Sequence, residues 1–69
     1  MSELRISLRA ARVNAGMTQK DVAKLLKVSN KTVLNWESGL SEPSYSTILA
    51  LSDIYKIPAK NIFLPTDHN

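Results

Sequence analysis

Sixty-nine residues make one domain at most, and a chain this short buries a smaller share of its surface than a mid-sized domain does, so its core must be economical. With 43% apolar and 22% charged residues the composition is globular, no run approaches the roughly 20 apolar residues of a membrane span, and Arg5, Arg9 and Arg12 interrupt the start where a signal peptide needs an apolar run. No cysteine offers a disulfide frame or a thiolate metal site, and the formal charge of +3 is concentrated, with seven of nine cations lying between Arg5 and Lys31.

Leu4, Leu8, Ala11 and Ala15 recur at helical spacing, and "NAG" at Asn14 to Gly16 ends that first helix with a glycine suited to the left-handed cap. Thr18 followed by Gln19, Lys20 and Asp21 reads as a capping box opening a second helix, which runs to Leu26 with Val22, Leu25 and Leu26 inward. "KVS" at Lys27 to Ser29 is too short to join antiparallel neighbours, so it predicts a tight turn that crosses the helices steeply. Ser29 caps a third helix that ends at Ser38 and Gly39. After "LSEPS" at Leu40 to Ser44, where Pro43 delays helix, Ser44 caps a fourth segment over Tyr45 to Tyr55. "KIPAKNIFL" predicts a turn and a short fifth helix around Ala59 to Phe63, and "PTDHN" is a tail. No strand pattern or repeat is visible. The expected fold is all-α and compact, with a domain over residues 1–64 and a tail over 65–69.

The third helix raises a question about its uncovered side. At roughly 100° per residue Val33 and Trp36 share an inward face, while Lys31, Leu34, Asn35 and Ser38 fall across from them. A cation, an amide, a small hydroxyl and one aliphatic side chain suit the reading of bases better than contact with water alone. Val22, Leu26, Val28, Val33 and Trp36 are then the inward positions of two crossing helices, with Ala23 small at the close approach.

The stretch "GMTQKDVAKLLKVSNKTVLNWESG" resembles the lambda-repressor-like helix-turn-helix family of phage repressors, Cro proteins and XRE-type regulators. The resemblance continues through "EPSYSTILALSDIYKIPAKNIF" and covers residues 4 to 63. It implies a five-helix domain with the helix-turn-helix at helices two and three and the third helix in the major groove. Lys27 departs from the glycine frequent at the turn, which predicts a non-glycine residue at positive φ at a cost of roughly 1 kcal/mol. Leu40 and Glu42 stand where relatives are often basic.

The resemblance also assigns roles. Asn30, Lys31 and Asn35 match groove-entering positions, with asparagine suited to adenine N6 and N7 and lysine to guanine O6 and N7, while Leu34 can meet a thymine methyl. Gln19, at the start of the second helix, matches a phosphate clamp. Ser29, Thr32, Ser41, Ser44, Tyr45 and Arg12 are further candidates for phosphate contact, and Arg12 is expected to pair with Glu37 and brace the third helix. Lys20 and Arg9 are general electrostatic contributors. Trp36 belongs to the core by its spacing from Val33.

The partner implied is double-stranded DNA carrying a palindromic operator, bound by a homodimer in the cytoplasm. Leu49, Ile54, Phe63 and Leu64 exceed what one apolar stripe of the fourth helix needs and are the candidate dimer interface. Neither a catalytic centre, a metal site, a cofactor nor a small-molecule effector is expected, since the one histidine, His68, stands beside Asp67 in the tail. The function that the resemblance implies is a sequence-specific double-stranded DNA-binding transcriptional regulator, a small phage-type or XRE-type repressor that inserts helix three into the major groove. The alternative is an antitoxin-like protein-interaction module whose DNA binding is autoregulatory.

Overall fold

A computed structural model describes residues 5–65. Four α-helices follow one another in the chain: α1 (Leu8–Asn14), α2 (Gln19–Leu26), α3 (Asn30–Ser38) and α4 (Tyr45–Tyr55). A single 3-10 turn, Ala59–Asn61, and two short strands, β1 (Ile6–Ser7) and β2 (Ile62–Phe63), complete the described part. None of these helices is long and apolar enough to cross a membrane.

Each helix begins on a hydroxyl. Ser7, Thr18, Ser29 and Ser44 hold extended backbone and accept from the amides of Ala10, Asp21, Thr32 and Thr47, satisfying donors that the first turn leaves free. The capping box is complete at α2, where the Thr18 amide donates to Asp21 Oδ2 at 2.8 Å and the Asp21 amide donates to Thr18 Oγ1 at 3.0 Å. Those two Thr18 bonds hold the Asp21 carboxyl below its usual pKa.

The helix ends also share a form. Gly16, Lys27, Gly39 and Lys56 all have positive φ, and the amide after each reaches back to a carbonyl five residues earlier: Met17 to Arg12, Val28 to Ala23, Leu40 to Asn35, and Ile57 to Ser52. Lys27, expected in this conformation, adopts φ 59°, and Lys56, which was not foreseen, adopts φ 60°. Gly39 is constrained twice, because its φ is +85° and a Cβ there would lie 2.9 Å from Pro65 Cβ. Pro65, the first residue of the expected tail, thus sits against the end of α3.

Three expectations need correction. The first helix starts at Leu8 rather than Leu4, which lies outside the described residues, and Ala15 is its exposed C-cap. In place of a fifth helix, the 3-10 turn gives way to β2, which pairs in parallel with β1 in the register Ile6↔Ile62 and Ser7↔Phe63. Two-residue strands carry too little alternation to be read from sequence. Leu25 is exposed, because the buried face of α2 is centred on Val22, Ala23 and Leu26 and Leu25 lies roughly 100° around the helix from it.

The core joins the four helices and the closing segment: Leu8 and Ala11 from α1, Val22 and Ala23 from α2, Val33 and Trp36 from α3, Leu51 and Tyr55 from α4, and Ile62 and Leu64 from the closing segment. Leu8, Val22, Val33 and Leu51 are its largest fully buried side chains, each favouring the fold by about 1.5–3 kcal/mol. Trp36 is core, as expected. Leu64 is core too, which removes it from the candidate dimer interface, whereas Phe63 faces outward beneath the Arg5 guanidinium, 5.3 Å from its ring centroid. The alternation of β2 explains the difference, since consecutive strand residues point to opposite sides.

Candidate nucleic-acid interface

The outer face of α3 carries Asn30, Lys31, Leu34 and Ser38, all exposed, opposite the buried Val33 and Trp36. Leu34 keeps 44% of its surface in water although it is aliphatic. Asn35 is placed differently from the other candidate base readers. It is half-buried, its Oδ1 is buried with no hydrogen-bond partner among the described residues, and its main-chain oxygen accepts from the amides of Gly39, Leu40 and Ser41. The Asn35 main chain therefore holds the end of the helix.

Hydroxyls flank this face. Ser29 Oγ accepts from the Thr32 amide at 3.1 Å and shares a 2.9 Å contact with Thr32 Oγ1, so these two phosphate candidates form one polar corner. Ser44 Oγ contacts Ser46 Oγ and Thr47 Oγ1 in the same way at the head of α4. Ser41 is exposed, and Tyr45 is 72% exposed although it is aromatic. Arg9 and Lys20 are exposed as well.

Beneath α3 lies its brace. Arg12 Nε donates to Glu37 Oε2 at 2.7 Å and Nη2 to Glu37 Oε1 at 3.2 Å, while Nη1 donates to the Met17 carbonyl at 2.9 Å. The side chains are 10% and 5% exposed, so this is a two-point pair largely withdrawn from water. Its hydrogen bonds to Glu37 raise the Arg12 pKa against the opposing pull of burial, and the guanidinium stays charged. Tyr55 is close enough to feel both charges. Burial pushes its phenol up to about 12, Glu37 adds to that shift and Arg12 opposes it.

Gln19, expected at a phosphate, is also part of the brace. Its Nε2 donates to Glu37 Oε1 at 3.0 Å, and its Oε1 accepts from Asn30 Nδ2 at 3.5 Å. Spacing along the chain does not reveal that double role, because Gln19, Asn30 and Glu37 meet only once α2 and α3 cross. The third acceptor of Arg12 was missed for a related reason, being a main-chain oxygen with no residue-type signature. Among the described residues no group of three acidic or histidine side chains could hold a metal; His68 and Asp67 lie outside them.

A helix-turn-helix family model matches residues 8–60, which spans α1 to the 3-10 turn and takes in every side chain of this brace. The chain belongs to the lambda-repressor-like helix-turn-helix family. This domain is 38% identical over 50 residues to the HTH-type transcriptional regulator ImmR of Bacillus subtilis (strain 168), an alignment covering 72% of the chain and 39% of that relative. It is 43% identical over 47 residues to the HTH-type transcriptional regulator DicA of Escherichia coli (strain K12), covering 68% of the chain and 35% of that relative. Both alignments span well under half of the relative's length. The family is one of DNA-binding regulators, not of enzymes.

Proposed function

We propose that this helix-turn-helix domain binds double-stranded DNA sequence-specifically as a cytoplasmic transcriptional repressor, placing α3 in the major groove of a palindromic operator. The observation that carries the reading is the outer face of α3. Asn30, Lys31 and Leu34 are exposed on a helix whose underside is locked by Arg12 and Glu37. Lys31 is the principal base reader and donates to guanine acceptors; Asn30 reads adenine, Leu34 meets a thymine methyl, and Asn35 supports the far end of the contact. Gln19, Ser29, Thr32, Ser41, Ser44, Tyr45 and Arg12 serve the phosphates.

In this reading the domain spans residues 1–64, with 65–69 as its tail, and acts as a homodimer. Leu49 and Phe63 are 46% and 40% exposed, and Ile54 is half-buried. A twofold axis through this apolar side would present two α3 helices to half-sites roughly 34 Å apart.

Selection of bound sequences from random duplexes, followed by a salt titration on the best site, tests the proposal. Affinity should fall steeply with salt as phosphate counterions are released. Lys31→Ala should weaken the best site by about 1–3 kcal/mol and relax one base position, while Tyr45→Phe lowers all sites by one common factor. Binding indifferent to salt would overturn the reading. For the dimer, sedimentation decides: a single protomer on a site without symmetry would refute it.

A further inference from the structure

The side chains linking the buried ion pair to the head of α3 have forced polarities. Arg12 only donates and the Glu37 carboxylate only accepts, so Gln19 must turn its Nε2 toward Glu37 and its Oε1 away from it. That oxygen can meet Asn30 only through Asn30 Nδ2, which is the contact seen. One N–H of Asn30 is thereby engaged. What remains for the groove is Oδ1 beside the second N–H, an acceptor next to a donor. This pair matches adenine, which offers N6–H₂ beside N7; guanine offers two acceptors, O6 and N7. Were the relay reversed, Asn30 would accept with Oδ1 and face outward with its amino group, which matches guanine.

We propose that Glu37 is a positioning residue for base selection: through Gln19 it sets the direction of the Asn30 amide and so makes that position of the operator adenine rather than guanine. Glu37 stands beneath the groove-facing surface of α3 and acts through two amides. The inference rests on the DNA-binding reading and deepens it.

The relay predicts a specific inversion. In Glu37→Gln the new amide has one oxygen; the shorter Arg12 contact, from Nε at 2.7 Å, takes it, the longer one from Nη2 at 3.2 Å is given up, and the substituted side chain offers its amino group to Gln19. Gln19 accepts with Oε1, turns its own amino group to Asn30, and Asn30 presents donors to the groove.

The test uses the full chain and four duplexes differing at one base pair, the pair at which Asn30→Ala loses discrimination. Wild type should prefer adenine over guanine there by about tenfold or more. Glu37→Gln should bring that ratio to one or below, with the preferences at other positions kept. Since Glu37→Gln can also weaken the fold, Gln19→Met is the companion variant. It leaves the ion pair whole, cuts the relay, and should reduce the adenine preference to the level of Asn30→Ala. A third arm needs no DNA: the side-chain amide resonances of Asn30 should move in Gln19→Met. The relay is overturned by a guanine at that position, by an adenine preference unaltered in folded Glu37→Gln or in Gln19→Met, or by Asn30 resonances that stay put. Failure of the DNA-binding reading looks different, since wild type would then select no site and show no salt-dependent binding.

Discussion

Between Leu8 and Gly39 the side chains that cross from one helix to another include Arg12, Gln19, Asn30 and Glu37, joined by directed hydrogen bonds. Between Leu40 and Pro65 the groups that reach the common core are Leu51, Tyr55, Ile62 and Leu64. Apolar packing tolerates small slides and rotations as long as volume is filled, whereas oriented hydrogen bonds fail when a helix turns by a few degrees. On the proposed reading, a helix whose outer face meets bases in register needs the second kind of support, and the segment that covers its rear needs only the first. The contrast teaches where orientation matters in this domain.

The largest expected way to break the contrast is Arg12→Ala. It strands the Glu37 carboxylate next to Tyr55 and should cost roughly 3–5 kcal/mol, the range for losing one member of a buried pair. Melting curves read it, and a loss under about 1 kcal/mol would mean that the pair behaves as a surface contact. Replacing both Arg12 and Glu37 by leucine should restore most of the stability without restoring the adenine preference, separating support from orientation. Leu51→Ala should cost about 3 kcal/mol by opening a cavity on the apolar side. Its folded fraction should keep the wild-type ranking of operator bases, and a changed ranking would show the two halves to be coupled.

A smaller effect comes from Tyr55, where the halves touch. Its folded pKa of about 12 lies above the ordinary value of 10, so its contribution to stability is whole below pH 10 and fades as pH rises toward 12. The slope should reach at most about 1.4 kcal/mol per pH unit. Tyr55→Phe should flatten that alkaline limb in a pH series of urea denaturations. Smallest is Lys27→Gly, which relieves a left-handed lysine and should stabilise by roughly 0.5–1 kcal/mol. Equal gains at Lys27 and Lys56 would show that both caps are strained alike, irrespective of the half in which they lie.

Much of this architecture is legible along the chain, and the reason is local. Thr18, Ser29, Ser44, Gly16 and Gly39 mark helix ends because capping is decided within four or five residues. Val33 and Trp36 are inward by simple periodicity, and the Arg12–Glu37 pair follows from the family resemblance. The missing fifth helix has a different cause. Pro58 starts a 3-10 turn, and the pairing of Ile62 with Ile6 draws the next residues into extended form, a preference that exists only when the far end of the chain is present. Leu64 turns into the core while Phe63 stays outside for the same reason, since a strand reverses sides at every residue and a helix does not. The link from Glu37 through Gln19 to Asn30 depends on two helices crossing, and no one-dimensional pattern encodes it.

Ser7 belongs to two structures at once, standing opposite Phe63 in the ladder and capping α1 through the Ala10 amide. The ladder unites positions near opposite ends of the described chain, so it closes a long loop and should assemble after the helices have met locally. The cap itself is local, so α1 can start by itself, and the ladder then ties that start, with Arg12 about one turn further on, to residues 62 and 63. During synthesis the crossing of α2 and α3 and the bonds of Arg12 to Met17 and Glu37 can form before the closing segment has emerged, and the ladder secures them afterwards. On the proposed DNA-binding reading, the persistence of the sequence-reading form would then depend on the closing segment as well as on the helix-turn-helix.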